Sequence, residues 1–399
     1  MGRSFQVSFL KTLPLPNRVA LARYKAHPAL GPCLLFFTGG TALRGLSQRL
    51  IEYTHNSIHL IPPFDSGGSS AELRKQFNML AVGDLRNRLM ALADQTLKGN
   101  PEIYRLFDTR LPENEGPEKL AELLSSLLAG KHPLIAAIQD PMRKIIRNHL
   151  GFFKRKMPAD FDLRGASIGN LILVGGYLNN RRQIDPVLYL FARLIEARGI
   201  VRPSATQDLQ LLARYADGTE ILGQHRFTGK GSKPPAAKLV DLELANKDGS
   251  PARRPPLKDK IAHLIDRADL ICYPMGSFFS SLLANFLIQG VGDRVQANPC
   301  PKVYVPNLGV DPEQKGYRLA EQVDRLLRAL KESSRFPGWD TDYLNFLVID
   351  AEGGHQITPE ERDQLENRGI QIIDVPLVLP EAPERIDEEL LLSVLLSLA

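Results

Sequence analysis

Within residues 33–93, two glycine-rich loops each follow a short apolar run, and this pairing constrains the chain more than anything else in its 399 residues. Residues 34–37, Leu-Leu-Phe-Phe, are too few for a helix and stand between Pro32 and Gly39, so they read as a buried strand. Thr38, Gly39, Gly40 and Thr41 then turn the chain, and Leu43, Leu46 and Leu50 follow at helical spacing. A helix opening from such a turn offers free N–H groups and the positive end of its dipole to an anion, and glycines let the backbone approach it. Residues 57–61 read as a second strand, stopped by Pro62 and Pro63. Asp65, Ser66, Gly67 and Gly68 lead into another helix, for which Ser69 with Glu72 predicts the cap. A third helix start falls at Gly83 and Asp84.

The rest of the chain extends this pattern. Residues 88–160 read as a helical insertion that lids the sheet, with a short apolar piece at 134–138 as its one strand candidate. Residues 209–215 and 219–224 flank Asp217-Gly218, a hairpin turn, and predict a small β-hairpin addition. Residues 229–256 are rich in Pro, Gly, Lys and Arg and read as a mobile loop. Residues 269–273, 302–306 and 346–349 read as further buried strands among helical stretches. Strands alternating with helices imply a Rossmann-like, doubly wound α/β fold with a mostly parallel sheet. Ligands of such sheets bind at the carboxyl ends of the strands. The loops at 38–41, 65–70 and 274–277 and Asn307 all lie at that end, so they are expected to converge on one crevice.

The 43% hydrophobic content supports a packed globule, and no apolar run approaches the ~20 residues that span a bilayer. The strongest candidate, 390–399, reads as an amphipathic terminal helix or docking segment. The start of the chain lacks a secretory core, which predicts a cytoplasmic location. Cys33, Cys272 and Cys300 are odd in number and widely spaced, and read as buried free thiols. Residues 1–32 form a basic N-terminal extension: up to Tyr53 the only acid is Glu52, against Arg3, Lys11, Arg18, Arg23, Lys25, Arg44 and Arg49. This lead either covers the sheet as a solvated extension or complements an anionic ligand. It lacks the aromatic interleaving of nucleic-acid binders, which argues against that partner. A homodimer is the default assembly.

Two familiar signatures fail. Glycines at 39, 40 and 45 do not make G-x-G-x-x-G, and residues 228–232 imitate a P-loop with Gln224 where its first glycine belongs. His55 and His59 have metal-like spacing, but a strand begins between them, so the histidines are left outside the site. Asp65 reads as an Asx-turn residue or as a carboxylate that holds Mg²⁺ or orients a hydroxyl. Asp84 caps its helix or faces the ligand with Asn87, and Ser167 and Asn170 form another helix start toward the crevice.

Six segments, TGGTALRGL (38–46), DSGGSSAELR (65–74), GDLRNRLMAL (83–92), SIGNLIL (167–173), ADLICYPMGSFFSSLLANFLIQGV (268–291) and KVYVPNLG (302–309), resemble in that order the 2-phospho-L-lactate transferase (CofD-like) family. The GGSS and GDLRN loops look closer to its gluconeogenesis factor branch of sugar-nucleotide-binding proteins. The resemblance implies a nucleoside diphosphate or sugar nucleotide as ligand, with Mg²⁺ as a companion ion. In the transferases an acceptor hydroxyl attacks the β-phosphorus of the donor and expels a nucleoside monophosphate, chemistry that rests on positioning and charge neutralisation. By resemblance the amides of the Thr38 and Gly276–Ser277 loops hold the diphosphate, with Ser280 and Ser281 on the helix that follows. Asp65 holds the metal or the hydroxyl, and Arg86 offsets charge. Two departures stand out: Ser66 replaces the second of two adjacent aspartates, and Met275 separates Pro274 from Gly276. The lost aspartate favours the alternative of a non-catalytic regulatory protein that binds a sugar nucleotide.

Overall fold

A computed structural model describes residues 12–96, 99–229 and 235–399. Its strands are β1 (Leu34–Phe37), β2 (Ile58–Ile61), β3 (Ile200–Pro203), β4 (Gln210–Tyr215), β5 (Glu220–Leu222), β6 (Leu239–Ala245), β7 (Leu270–Tyr273), β8 (Lys302–Tyr304), β9 (Phe346–Ile349) and β10 (Gln371–Asp374). Seven form one parallel sheet in the order β10-β9-β8-β7-β1-β2-β3, and the other three an antiparallel sheet in the order β5-β4-β6. The expected doubly wound α/β fold is present. Its order reverses between β1 and β7, and such a switch point opens a crevice at the carboxyl ends of the two strands.

Burial explains why the central strands are legible. All four residues of β1, β2 and β7 are buried, as a sheet covered on both faces requires. The faces alternate along each strand: Leu35, Phe37, Ile271 and Tyr273 join one core, while Leu34, Phe36, Leu270 and Cys272 join another. Strands β3 and β10, absent from the sequence reading, are the sheet's two edges. Arg202 with Pro203, and the polar ends of Gln371–Asp374, give them no apolar signature, as edges commonly lack.

The helices are α1 (Arg18–Ala26), α2 (Arg44–Leu50), α3 (Gly68–Phe77), α4 (Gly83–Ala91), α5 (Pro101–Asp108), α6 (Pro117–Ala129), α7 (Pro133–Ala136), α8 (Met142–Lys156), α9 (Ile168–Asn179), α10 (Ile184–Leu194), α11 (Gln224–Phe227), α12 (Asp259–Asp266), α13 (Val291–Ala297), α14 (Leu319–Glu332), α15 (Pro359–Glu366) and α16 (Glu388–Leu398). Helices α4 to α10 share one apolar core, so the helical stretch runs past residue 160 to Leu194. The apolar piece at 134–138 is part of α7 and not a strand, because Pro133 opens a helical turn that buries Ile135.

Two further expectations need correction. The hairpin after Asp217-Gly218 is present, but residues 229–256 are not one loop: β6 pairs with β4 and completes the antiparallel sheet. Residues 230–234 of that stretch, and 1–11 of the basic extension with Arg3 and Lys11, lie outside the described residues. Ser69 does not cap α3. The helix is entered through Gly67 and a left-handed Gly68 (φ +49°), a conformation glycine adopts without strain, and no side chain caps its amides.

The three cysteines are free and buried. Among the described residues no helix is long and apolar enough to cross a membrane. The terminal apolar segment instead seals the sheet: α16 packs on α1 and α2, and its Leu391, Leu392, Leu395 and Leu396 are wholly buried in the core that includes Leu34 and Phe36. We expect Leu395→Ala to cost about 2–5 kcal/mol of stability in urea unfolding; an unchanged midpoint would show that α16 is not part of the cooperative unit.

Candidate functional site

The crevice at the switch point has a volume of about 480 Å³. Its walls are the loop after β1 (Gly39, Gly40, Thr41, Ala42), the loop after β2 (Asp65, Ser66, Gly67, Gly68), the start of α4 (Asp84, Asn87) and the loop after β7 (Gly276, Ser277, Ser281). Ala71 and the α11 segment, with Gln224, His225 and Thr228, close the remaining side. Loops far apart in sequence therefore meet as the sheet topology demands.

The first loop offers an unusual run of donors. The N–H of Thr38 is spent on the carbonyl of Leu60 at 3.0 Å, within the sheet. Among the described residues, nothing accepts from the next four N–H groups, Gly39 to Ala42. Side chains press close here: a Cβ on Gly40 would lie 2.1 Å from Asp84 Oδ1, and one on Gly39 would lie 2.5 Å from Ser281 Oγ. The first turn of α3 is similar. Asp65 Oδ1 accepts from Gly67 N–H at 3.0 Å, making the Asx turn, and among the described residues nothing accepts from the N–H groups of Gly68, Ser69 and Ser70. Uncapped amides at a helix start form an anion receptor.

The third loop differs from expectation. The amides that open the helix after it do not stand free, because carboxylates already occupy them. Phe278 N–H donates to Asp311 Oδ2 at 2.8 Å, and the N–H groups of Phe279 and Ser280 both donate to Glu313 Oε2 at 2.8 Å. Ser280 Oγ donates to Glu313 Oε1 at 2.6 Å, so that hydroxyl is committed as well. Burial and the neighbouring Asp311 charge push the Glu313 carboxyl above its usual range, opposed by these donated hydrogen bonds. Gly276 and Ser277 remain on the crevice wall.

Besides Ser280, six residues singled out in the sequence do not line the crevice. Thr38 is buried, and Ser69 lies on the first turn of α3 outside the lining. Arg86 is buried and donates to Phe107 O at 3.1 Å, to Ser167 Oγ at 2.6 Å and to Asn87 Oδ1 at 2.6 Å, so it meets the crevice through Asn87. Burial lowers its pKa to about 10. Ser167 caps α9 by accepting from Asn170 N–H, and Asn170 is buried beside it. Asn307 braces the third loop, accepting from Gly276 N–H and donating to Gly276 O, both at 2.8 Å.

His225 corrects the exclusion of histidines from the site. It lines the crevice beside Gln224 and Thr228, and its ring lies 2.9 Å from Ser66 Oγ. The hairpin signal announced the excursion that carries it, but no local pattern told where that excursion would pack.

Arg88 holds the first loop in place. It is wholly buried and donates to Leu43 O (2.7 Å), Gly39 O (2.8 Å), Thr38 Oγ1 (3.3 Å) and Ser47 Oγ. Behind it, His59 is fully buried against Phe36, their rings stacked at 5.1 Å. Desolvation, then the Arg88 charge, hold the His59 pKa well below 6.5.

A seven-stranded parallel sheet whose switch point gathers open amides defines a doubly wound α/β protein with a crevice at the carboxyl ends of its strands. The chain belongs to the 2-phospho-L-lactate transferase CofD family, whose model matches residues 34–378. It is 28% identical over 301 residues to a putative gluconeogenesis factor of Thermotoga maritima, covering 75% of each chain. It is likewise 28% identical over 300 residues to the gluconeogenesis factor of Bacillus subtilis, covering 74% of each. Its fold matches a crystal structure of a UPF0052 family protein from Bacillus halodurans with a TM-score of 0.61 at 20% identity, over 92% of this chain and 99% of that one.

Two outcomes follow. Arg88→Met leaves the carbonyls of Gly39 and Leu43 without their donor and should lower stability by ~3 kcal/mol in denaturant unfolding; a loss under ~1 kcal/mol would mean that other donors replace it. Because the folded His59 pKa is depressed, its contribution is intact above the unfolded value of 6.5 and is lost as pH falls below it. His59→Gln should therefore lose less stability than the wild type between pH 7 and about pH 5; parallel pH curves would exclude the histidine as the cause.

Proposed function

We propose that the crevice binds a nucleoside diphosphate-linked ligand of the sugar-nucleotide kind and retains it, as a ligand-responsive regulatory protein would. The observation that carries this reading is the run of four amides at Gly39 to Ala42 that have no partner among the described residues, sharing one crevice with the start of α3. Two such amide sets suit two linked phosphates, and the crevice leaves room for more of the ligand. The names of the curated relatives, gluconeogenesis factors, support a regulatory role over a biosynthetic one. Ser66, in place of a second carboxylate, supports it too.

Mg²⁺ fits this donor set in a limited way. Among the described residues no group of three or more His, Cys, Asp or Glu side chains could hold a metal ion. Asp65 and Asp84 both line the crevice, and Mg²⁺ is commonly held by one or two carboxylates together with phosphates of its ligand. The ion would neutralise phosphate charge beside these carboxylates.

One feature favours a second reading, transfer. Asp65 sets a carboxylate on the crevice wall at the second loop, where it could take the proton of an acceptor hydroxyl. The hydroxyl oxygen would bond to the β-phosphorus as the bond to the departing nucleoside monophosphate breaks.

A thermal-shift screen of UDP-sugars, GDP and inorganic pyrophosphate, with and without Mg²⁺, tests binding; a ligand at ~100 times its dissociation constant adds about 2.7 kcal/mol. Recovery of intact ligand after long incubation supports retention, whereas release of a nucleoside monophosphate supports transfer. Ala42→Glu sets a carboxylate on an exposed part of the wall and should weaken binding about tenfold or more, with stability changed by less than about 0.5 kcal/mol. Ala42→Gln should bind nearly as the wild type does. Equal affinity in the Glu variant would remove the first loop from the ligand site.

A further inference from the structure

The glycine loops supply main-chain donors, and one side chain on the opposite wall adds to them. His225 reaches the crevice on α11, which buried Phe227 anchors from below while the N–H of Gly223 donates to Leu211 O at 2.8 Å. Two hydrogen bonds then join His225 to the second loop, and both use one atom. Its main-chain N–H donates to Ser66 Oγ at 3.2 Å, and its Nδ1 lies 2.9 Å from the same oxygen.

That coincidence bears on the ring's protons, because one oxygen has a single hydrogen and two lone pairs to share between both contacts. A serine hydroxyl carries a single hydrogen and accepts through its lone pairs. Ser66 is buried, at 8% exposure, and its Oγ already accepts from the main-chain N–H of His225. Among the described residues Nδ1 is the one recorded partner that can take the hydroxyl hydrogen. Given that hydrogen, Nδ1 is the acceptor of the pair and the ring's own proton sits on Nε2.

With Nδ1 tied back to the loop, Nε2–H is the donor that the ring offers to the crevice. The side chain also springs from beside the start of α3, since a Cβ on Gly67 would lie 3.6 Å from His225 Cβ. Resting on the diphosphate reading above, we infer that His225 contacts the ligand, donating Nε2–H to a phosphate oxygen held at the start of α3, with Ser66 as its positioning residue. The serine thereby has a role in place of the missing carboxylate: an aspartate there would accept from Nδ1–H and reverse the tautomer. The antiparallel sheet has one too, because it delivers a histidine 159 residues away in sequence to the second loop.

The test uses the full chain, inorganic pyrophosphate and UDP as probes, isothermal titration, and nitrogen-15 NMR of the histidine rings. In the free protein His225 should show protonated Nε2 and bare Nδ1. Ser66→Ala should mix the two tautomers, and Ser66→Thr should retain the single one. His225→Ala should weaken pyrophosphate binding about tenfold, the scale of one hydrogen bond to a charged group. His225→Gln, which keeps a donor, should recover most of that loss, and Ser66→Ala should fall between. The melting temperature of each variant separates these effects from misfolding. A protonated Nδ1 in the free protein, or wild-type affinity in His225→Ala, overturns the inference while leaving the diphosphate reading intact. If the wild type binds neither probe, the diphosphate reading fails and the ligand contact with it, and the ring spectra still decide whether Ser66 sets the tautomer.

Discussion

The Arg88 guanidinium is the interaction on which the crevice depends. A wholly buried cation must be satisfied by hydrogen bonds, and Arg88 finds them on the carbonyls and hydroxyls of the first loop and the start of α2. By drawing the carbonyls of Gly39 and Leu43 inward, it fixes the loop's polarity: oxygens face the core, and the amides of Gly39 to Ala42 keep no partner among the described residues. Asp84, one helical turn before it, is the charge that favours the buried cation. The same side chain thus holds the loop's carbonyls and depresses the pKa of the neighbouring His59.

The three loops at the switch point are therefore not equivalent. The first keeps its amides open because an arginine occupies its carbonyls. The second keeps them open because α3 is entered through a left-handed glycine with no capping side chain. The third is closed by Asp311 and Glu313, which stand on the amides that a ligand would otherwise use. That asymmetry leaves the open amides on the first two loops. It leaves the third as a braced wall, with Asn307 holding both main-chain groups of Gly276.

Much of this was readable in the sequence. The central strands carried continuous apolar runs because both faces of the sheet are covered, and β1 and β9 fall on their expected residues. The glycine loops announced themselves by composition, and the strand-helix alternation told which end of the sheet they would share. Edge strands β3 and β10 were silent, since an edge has no need of an apolar pattern. Strand β6 was masked by the Pro- and Lys-rich residues around it. The Ser69 cap failed because the pattern of Ser with a following Glu says nothing about a glycine entering the helix one residue earlier.

What the sequence by itself determined is the local chemistry: short buried strands, turns that only glycine fits, and helices opening directly from them. These depend on spacing and on backbone freedom, which neighbouring residues set. What only the tertiary structure decided is which of those groups remain available. Arg86, a candidate on the first turn of α4, was withdrawn by contacts with Phe107 and Ser167, and the Gly276 loop by carboxylates more than thirty residues downstream. His225 was added by a hairpin packing onto a loop 159 residues before it. Hydrogen-bond partners so distant leave no periodic trace, because each polar group's fate rests on what the whole fold brings within 3 Å of it.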